Sequence, residues 1–353
     1  MMSQGKSPAS PCPAPAPSAA RPAPRGDHLH RLLLAQVVQA GCFRPTPART
    51  WAHAAFVLSC YGAAYAALLA DPGVALRVLL VAALAFITVQ AGSLAHAAGH
   101  GAISRDRRVA ALAGQLFHTL LGGLSYSYFQ HIHRQHHPHC NDRSRDPDMQ
   151  SDFFSLHRQS ALAKTGLGRL ISQHQAALVW VLIGLQGFTL KLDGLRFLWR
   201  QPRATRVDWF VVSLHFALWF APPMLLLGVA DALLNYAAMT LLVGFYVGAI
   251  FLVNHVGTQV IEPGASISFF MQETSVTRNL GASWWDNLIF IGVNNHIEHH
   301  LFPSMPTARL GQARRNSRAF CARHGIAYQE MSWFAAAREV TRHLKAMSAL
   351  VPR

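Results

Sequence analysis

Apolar residues dominate four stretches, 51–70, 74–94, 209–230 and 232–253, each close to the roughly 20 helical residues that cross a hydrocarbon core of about 30 Å. Asp71-Pro72-Gly73 separates the first pair, and a tight turn at Asp231 separates the second. The pattern therefore predicts two transmembrane hairpins. Pro222 and Pro223 fall inside the third stretch and are expected to bend or break it, a cost that packing against neighbouring helices offsets. Two weaker apolar runs, 109–124 and 177–190, fall short of a crossing and read as interfacial or re-entrant helices. Residues 31–50 hold a short apolar turn or two, read as an interfacial helix ahead of the first span. The first thirty residues are rich in Pro, Ala and Ser and lack the apolar core of a secretory signal, so they read as a flexible arm. No solenoid repeat and no strand-rich region interrupts this plan. The expected class is all-α and integral to a membrane: four transmembrane helices in two hairpins, with a helical cap.

Charge orients that plan. Only 13% of the 353 residues are charged, against about 25% in an ordinary soluble domain. Lys and Arg number 31 against 16 Asp and Glu, giving a formal charge of +15. With the turns at Asp71–Gly73 and Asp231 placed outside, every Lys and Arg except Arg77 lies on the other side or its flanks. The positive-inside rule then puts both termini and the cap in the cytoplasm, with the spans in the cytoplasmic membrane. No basic-aromatic stripe or nucleic-acid-binding signature is present, so the basic surface points to anionic lipid headgroups or an acidic protein partner rather than nucleic acid. The five cysteines are scattered, and no CxxC occurs, so they read as isolated reduced thiols.

The candidate chemistry lies in three histidine clusters: His96 and His100; His133, His136 and His137; His296, His299 and His300. Spacings of three and four residues fall on one face of a helix, so each cluster can present two or three imidazoles to one point. Imidazole suits iron, zinc, copper and nickel. The topology places all three clusters on the cytoplasmic side, although it was drawn from different residues. Neutral imidazoles leave the metal charge uncompensated, and Glu298, Asp142, Asp146 and Asp148 are near enough in sequence to serve. There is no HExxH zinc-protease motif. His131 could replace His133 as the first member of its cluster, but HxxHH has the better helical spacing. His131 and His139 read as peripheral; His118, His157, His174 and His215 read as ordinary packing or surface histidines. A metal transporter would distribute ionisable ligands through mid-membrane positions, whereas these gather at one face.

His96-Ala-Ala-Gly-His100, the His133–His137 box with Asn141 and Asp146-Pro147-Asp148, and Asn295 through Pro306 resemble the membrane fatty acid desaturases. Within that family they look most like the bacterial acyl-lipid and front-end-like branch. Leu301-Phe302-Pro303 after the third box is a specific part of the likeness, as are Gln272–Asn279, Trp285-Asp286 and the tail from Ala308 to Trp333. The likeness covers about residues 50–345, which makes 51–353 the expected desaturase domain and 1–50 an arm and interfacial segment. It implies two non-haem irons, O2 as co-substrate and a fatty acyl substrate on a lipid, coenzyme A or a carrier protein. It also implies a further histidine ligand after the fourth span, matched here by His255 beside Asn254. The implied ligand set is His96, His100, His133, His136, His137, His255, His296, His299 and His300. Asn254 and Asn295 are expected to bind water or support ligands. His296 stands where the front-end branch commonly has Gln. No His-Pro-Gly-Gly segment occurs, so a separate ferredoxin, or cytochrome b5 with its reductase, is the expected electron donor. Hydroxylases, acetylenases and carotenoid ketolases share the same boxes, and products alone separate them.

Overall fold

In the computed structural model, residues 25–353 are described; most of the expected Pro-rich arm, residues 1–24, lies outside them. Among the described residues the chain is helical, with two isolated β-bridges in place of strands. The first helices are α1 (Arg25–Gln39), α2 (Pro47–Leu69), α3 (Val74–Gly99) and α4 (Arg107–Gly114), the last continued by a π-helical turn, Gln115–Leu120. Then come α5 (Tyr126–His139), α6 (Arg158–Ala163), α7 (Gly166–Gln173), α8 (Gln175–Leu182) and α9 (Gln186–Arg200). The remainder comprises α10 (Arg206–Leu226), α11 (Val229–His255), α12 (Phe269–Val276), α13 (Trp284–Ile289), α14 (His296–Leu301), α15 (Thr307–His324) and α16 (Trp333–Ser348).

Both hairpins form, α2 with α3 and α10 with α11, but the second turns three residues earlier than expected. Gly228 makes that turn at φ 89°, which an L side chain rarely adopts, and Asp231 lies in the first turn of α11. Pro222 and Pro223 do not break α10, which runs on to Leu226. Arg77, the one cation assigned to the outer side, is neutralised there: it pairs with Asp71 and lies 2.6 Å from Asp231, tying the two hairpin turns together.

Among the described residues five helices, not four, are long and apolar enough to cross a bilayer, because residues Gln175–Arg200 also qualify. The apolar run 177–190 is short by itself. A 3-10 turn at Ile183–Leu185 carries the helix into α9, whose Lys191, Asp193, Arg196 and Arg200 make it amphipathic. Gly184 and Gly187 press against α11 at Leu241 and Thr240, leaving no room for a β-carbon at Gly187. Small residues are what permit such close helix approach.

The helix expected before the first span exists, but it packs onto α12 and α15. Leu33 and Val37 of α1 are fully buried with Phe270, Ile297, Phe302 and Leu310. Arg323 donates to Gln36 at 3.0 Å, and Gln312 donates to the Ala40 carbonyl at 2.6 Å. The Leu33→Asp variant would bury an unpaired charge, at a cost of about 3 kcal/mol or more. Thermal unfolding of the solubilised variant should show a midpoint several degrees lower; an unchanged midpoint would mean α1 is only loosely held.

Candidate metal centre

α3 and α11 deliver His96 and His255 at their ends, α5 brings the second cluster, and α14 the third. All nine expected histidines converge. They separate into two groups, and the division cuts across the sequence clusters.

In the first group, ligand nitrogens of His96, His100, His133, His137 and His299 lie within 4.8 Å of one another. The Nε2 atoms of His96, His100 and His137 approach that of His133 at 3.0, 2.8 and 3.1 Å. His299 packs its ring 4.5 Å from His96 and 4.8 Å from His137, centroid to centroid. In the second group, ligand atoms of His136, His255, His300 and Cys140 lie within 4.8 Å of one another, and His296 joins through His255. His255 and His296 approach at 2.7 Å between Nε2 atoms, and the His300 ring lies 5.1 Å from His255 and 5.2 Å from His136.

This corrects the expectation that each cluster serves one point. Successive helical residues are rotated by about 100°, so neighbouring histidines diverge. His133 and His137, four apart, share the first group while His136 turns to the second. His296 and His300, also four apart, share the second group while His299 turns to the first.

The chemistry of these contacts fits a cation. One Nε2 of His133 faces three other Nε2 atoms, and a single proton there could serve only one of them. A first-row metal at about 2.1 Å from imidazole nitrogens sets adjacent octahedral ligands about 3.0 Å apart, near the spacings seen here. His299 Nε2 is buried with no hydrogen-bond partner. Burial, with repulsion between neighbouring imidazoles, holds His133, His137, His299 and His300 well below the usual histidine range. Burial, then Arg134, brings His100 down to about 4. Their lone pairs are therefore free at neutral pH.

Carboxylates orient the second group. The His136 Nδ1–H faces both Asp146 oxygens at 3.1 Å and Asp148 at 3.3 Å, leaving Nε2 for the cluster. Burial lowers the His136 pKa, but the Asp146 hydrogen bond and the Asp148 charge more than reverse that, to about 9. Asp146 also accepts from the Asn141 and Asp148 amides, which fixes the loop after α5. His300 Nδ1–H donates to Glu273 at 2.9 Å, and both residues are buried.

Of the four carboxylates expected to compensate charge, Asp146 and Asp148 reach a histidine. Asp142 instead takes the Arg145 guanidinium and caps its own turn. Glu298 faces Asn279 and Tyr328. Sequence reasoning missed Glu273; the signal was its place in the 272–279 segment, next to Gln272. Cys140 is a free thiol as expected, but it is buried, and its Sγ lies 3.3 Å from His255 Nδ1, among the ligand atoms of the second group. Asn254 and Asn295 are buried beside their histidines and bond backbone carbonyls of Ile250 and Gly292. His131 is exposed against Phe197 and lies outside both groups, whereas His133, His136 and His137 lie within them. His157 caps α6 through Ser160 N, as an ordinary histidine would.

Among the described residues, long apolar helices surround a buried, histidine-lined double cluster: the chain is an all-helical protein with candidate membrane spans and histidine groups that could hold metal. The chain matches the Fatty acid desaturase family over residues 71–332 and belongs to it. Among curated relatives it is 26% identical to the Delta(8)-fatty-acid desaturase of Borago officinalis, over 72% of this chain and 60% of that protein. It is 24% identical to the Acyl-lipid (9-3)-desaturase of the same plant, over 84% of this chain and 68% of that protein. With Fatty acid desaturase 3 of Homo sapiens it shares 25% identity, over 78% of this chain and 62% of that protein. This chain thus spans less than two thirds of the first and third of these relatives.

Proposed function

We propose that this protein is an O2-dependent desaturase that introduces a double bond into a fatty acyl chain. The observation that carries the reading is the convergence of nine histidines from four separate stretches into two adjoining nitrogen groups. In this reading His96, His100, His133, His137 and His299 hold one iron, and His136, His255, His296 and His300 the other. Bound iron would supply the O2-activating chemistry that removes hydrogen from an unactivated methylene. The chain itself holds and orients the ligands: Asp146 and Glu273 fix the tautomers of His136 and His300. Buried Ile297, Leu301 and Phe302 exclude water from the third-box side.

Four crossings fit this site better than five. α3 and α11 both end in the histidine groups, and each is the second arm of a tight hairpin, so α2 and α10 begin on the same side. The chain between His100 and Arg206 must leave and rejoin that one side. A single crossing by Gln175–Arg200 would put α10 on the wrong face. We therefore assign α8 and α9 as a helix lying in the bundle without net crossing, and place site and termini in the cytoplasm by charge. Residues 51–353 form the catalytic unit, with α1 clasped against it. An acidic ferredoxin or cytochrome b5 would meet the basic cytoplasmic face.

Expression in a host with saturated lipids, followed by double-bond mapping by mass spectrometry, tests the activity; elemental analysis of the purified protein should give about two irons per chain. Hydroxylated acyl chains instead of olefins would move the assignment to the hydroxylases. A metal-free, inactive native protein would end it.

A further inference from the structure

The chain from Leu120 to Ser127 joins two helix ends back to back, and each end is held by side chains of the opposite character. The π-helical turn ends at Leu120; the His118 and Thr119 carbonyls still accept from the Leu124 and Gly123 amides, whereas those of Leu120, Leu121 and Gly122 are met by side chains. His215 Nδ1 bonds the Leu120 carbonyl at 2.7 Å, Tyr61 donates to Leu121 at 3.2 Å, and Lys191 Nζ donates to Gly122 at 2.5 Å. These three come from α10, α2 and α9. Gly123 follows at φ 68°, and a β-carbon there would strike the His215 ring and the Lys191 amine.

The other end is the start of α5, the helix that carries His133, His136 and His137. Asp208, buried on the first turn of α10, saturates it. One carboxylate oxygen accepts from Ser125 Oγ at 2.7 Å and from the Ser127 amide at 2.9 Å. The second accepts from Ser127 Oγ at 2.8 Å and from Gln115 Nε2 at 2.6 Å. Ser125 in turn caps the Tyr128 amide at 3.1 Å. A cationic side chain at a helix C-terminus and a carboxylate at an N-terminus are both the favourable sense of the helix dipole. From this clamp α5 runs directly into the site, where Phe129 stacks on His133 at 4.7 Å.

We propose that Asp208, with Lys191 at the opposing helix end, is a positioning device for the second histidine box. Asp208 touches none of the nine histidines. It acts by fixing where α5 begins and how it is rotated, so one carboxylate sets the direction of ligands that serve both metal groups. Lys191 fixes the preceding segment against which that start is braced.

The test uses full-length protein in lipid nanodiscs, by hydrogen–deuterium exchange and by titration with Co2+. In Asp208→Asn two of the four donors lose their acceptor and the other two keep only a neutral oxygen, and exchange over residues 126–132 should rise roughly tenfold or more. Peptides of α15 and α16 should keep native exchange. Bound Co2+ should show shifted visible bands, and Asp208→Glu should restore part of the native spectrum. Lys191→Met should loosen residues 115–124 first. Native exchange over α5 in Asp208→Asn, or a rise spread equally over all helices, overturns the proposal. If Asp208→Asn does not fold, Ser127→Ala removes one of the four contacts, its backbone amide staying in place, and gives the same reading with a smaller rise. The proposal adds to the metal assignment, yet the exchange arm is independent of it: native protein that binds no Co2+ would sink the metal reading while leaving the clamp to be judged on exchange alone.

Discussion

Replacing His299 with alanine is expected to remove one metal per chain and to lower turnover at least about a hundredfold, with the protein still inserted and folded. His299 belongs to the third sequence cluster but closes the first metal group, packing against His96, His100 and His137. Its Nε2 has no partner in the protein, so its loss removes a ligand without stranding another polar group. Nothing in α2, α3, α10 or α11 depends on it for apolar packing. The cavity left by one imidazole is small against the long apolar helices. Elemental analysis and acyl-product mapping on the same preparation would measure both effects. The matched control is His131→Ala, which should retain full metal and full activity because that ring is exposed outside both groups. A His299→Ala protein with two metals and native turnover would refute the ligand set, and the two-group division with it.

The second large effect is expected at Glu273, a residue with no histidine-box signature. Its Oε2 accepts from His300 Nδ1–H, and the side chain is fully buried. Glu273→Leu would leave that buried N–H unsatisfied, worth about 1–3 kcal/mol, and would free the ring to rotate. Loss of such a partner typically lowers metal affinity or activity by about 10–100-fold. Glu273→Gln keeps an oxygen acceptor and should retain more of both. Glu298→Gln is the informative comparison. That carboxylate sits within the third box itself, yet it faces Asn279 and Tyr328, so its change should leave metal affinity nearly native. Equal losses at 273 and 298 would show that burial of charge near the site, rather than the contact with His300, is what matters.

The sequence was most legible where structure is local. Both hairpins follow from apolar length, and their ends were placed within a few residues. The exception was the turn at Gly228, where the apolar run continued through a residue whose positive φ decided the break. α8 and α9 were underestimated because only half of that helix is apolar, and its length depends on close packing of Gly184 and Gly187 against α11. Among the carboxylates, proximity in sequence selected Asp146 and Asp148 correctly. It also favoured Glu298 over Glu273, since it could not say which way a buried carboxylate points.

By itself the sequence determined the helical class, the hairpins and the eight clustered histidines, because 3.6-residue periodicity and bilayer thickness act on neighbours in the chain; His255 was singled out by the family likeness alone. Only the tertiary structure decided how those histidines divide, which carboxylates meet them, and that α1 joins the cap. Spacing within a helix fixes relative rotation, so His136 and His137 had to diverge. Which partners each then meets depends on where the three other histidine-bearing segments are packed, and that is set by contacts between residues far apart in the chain.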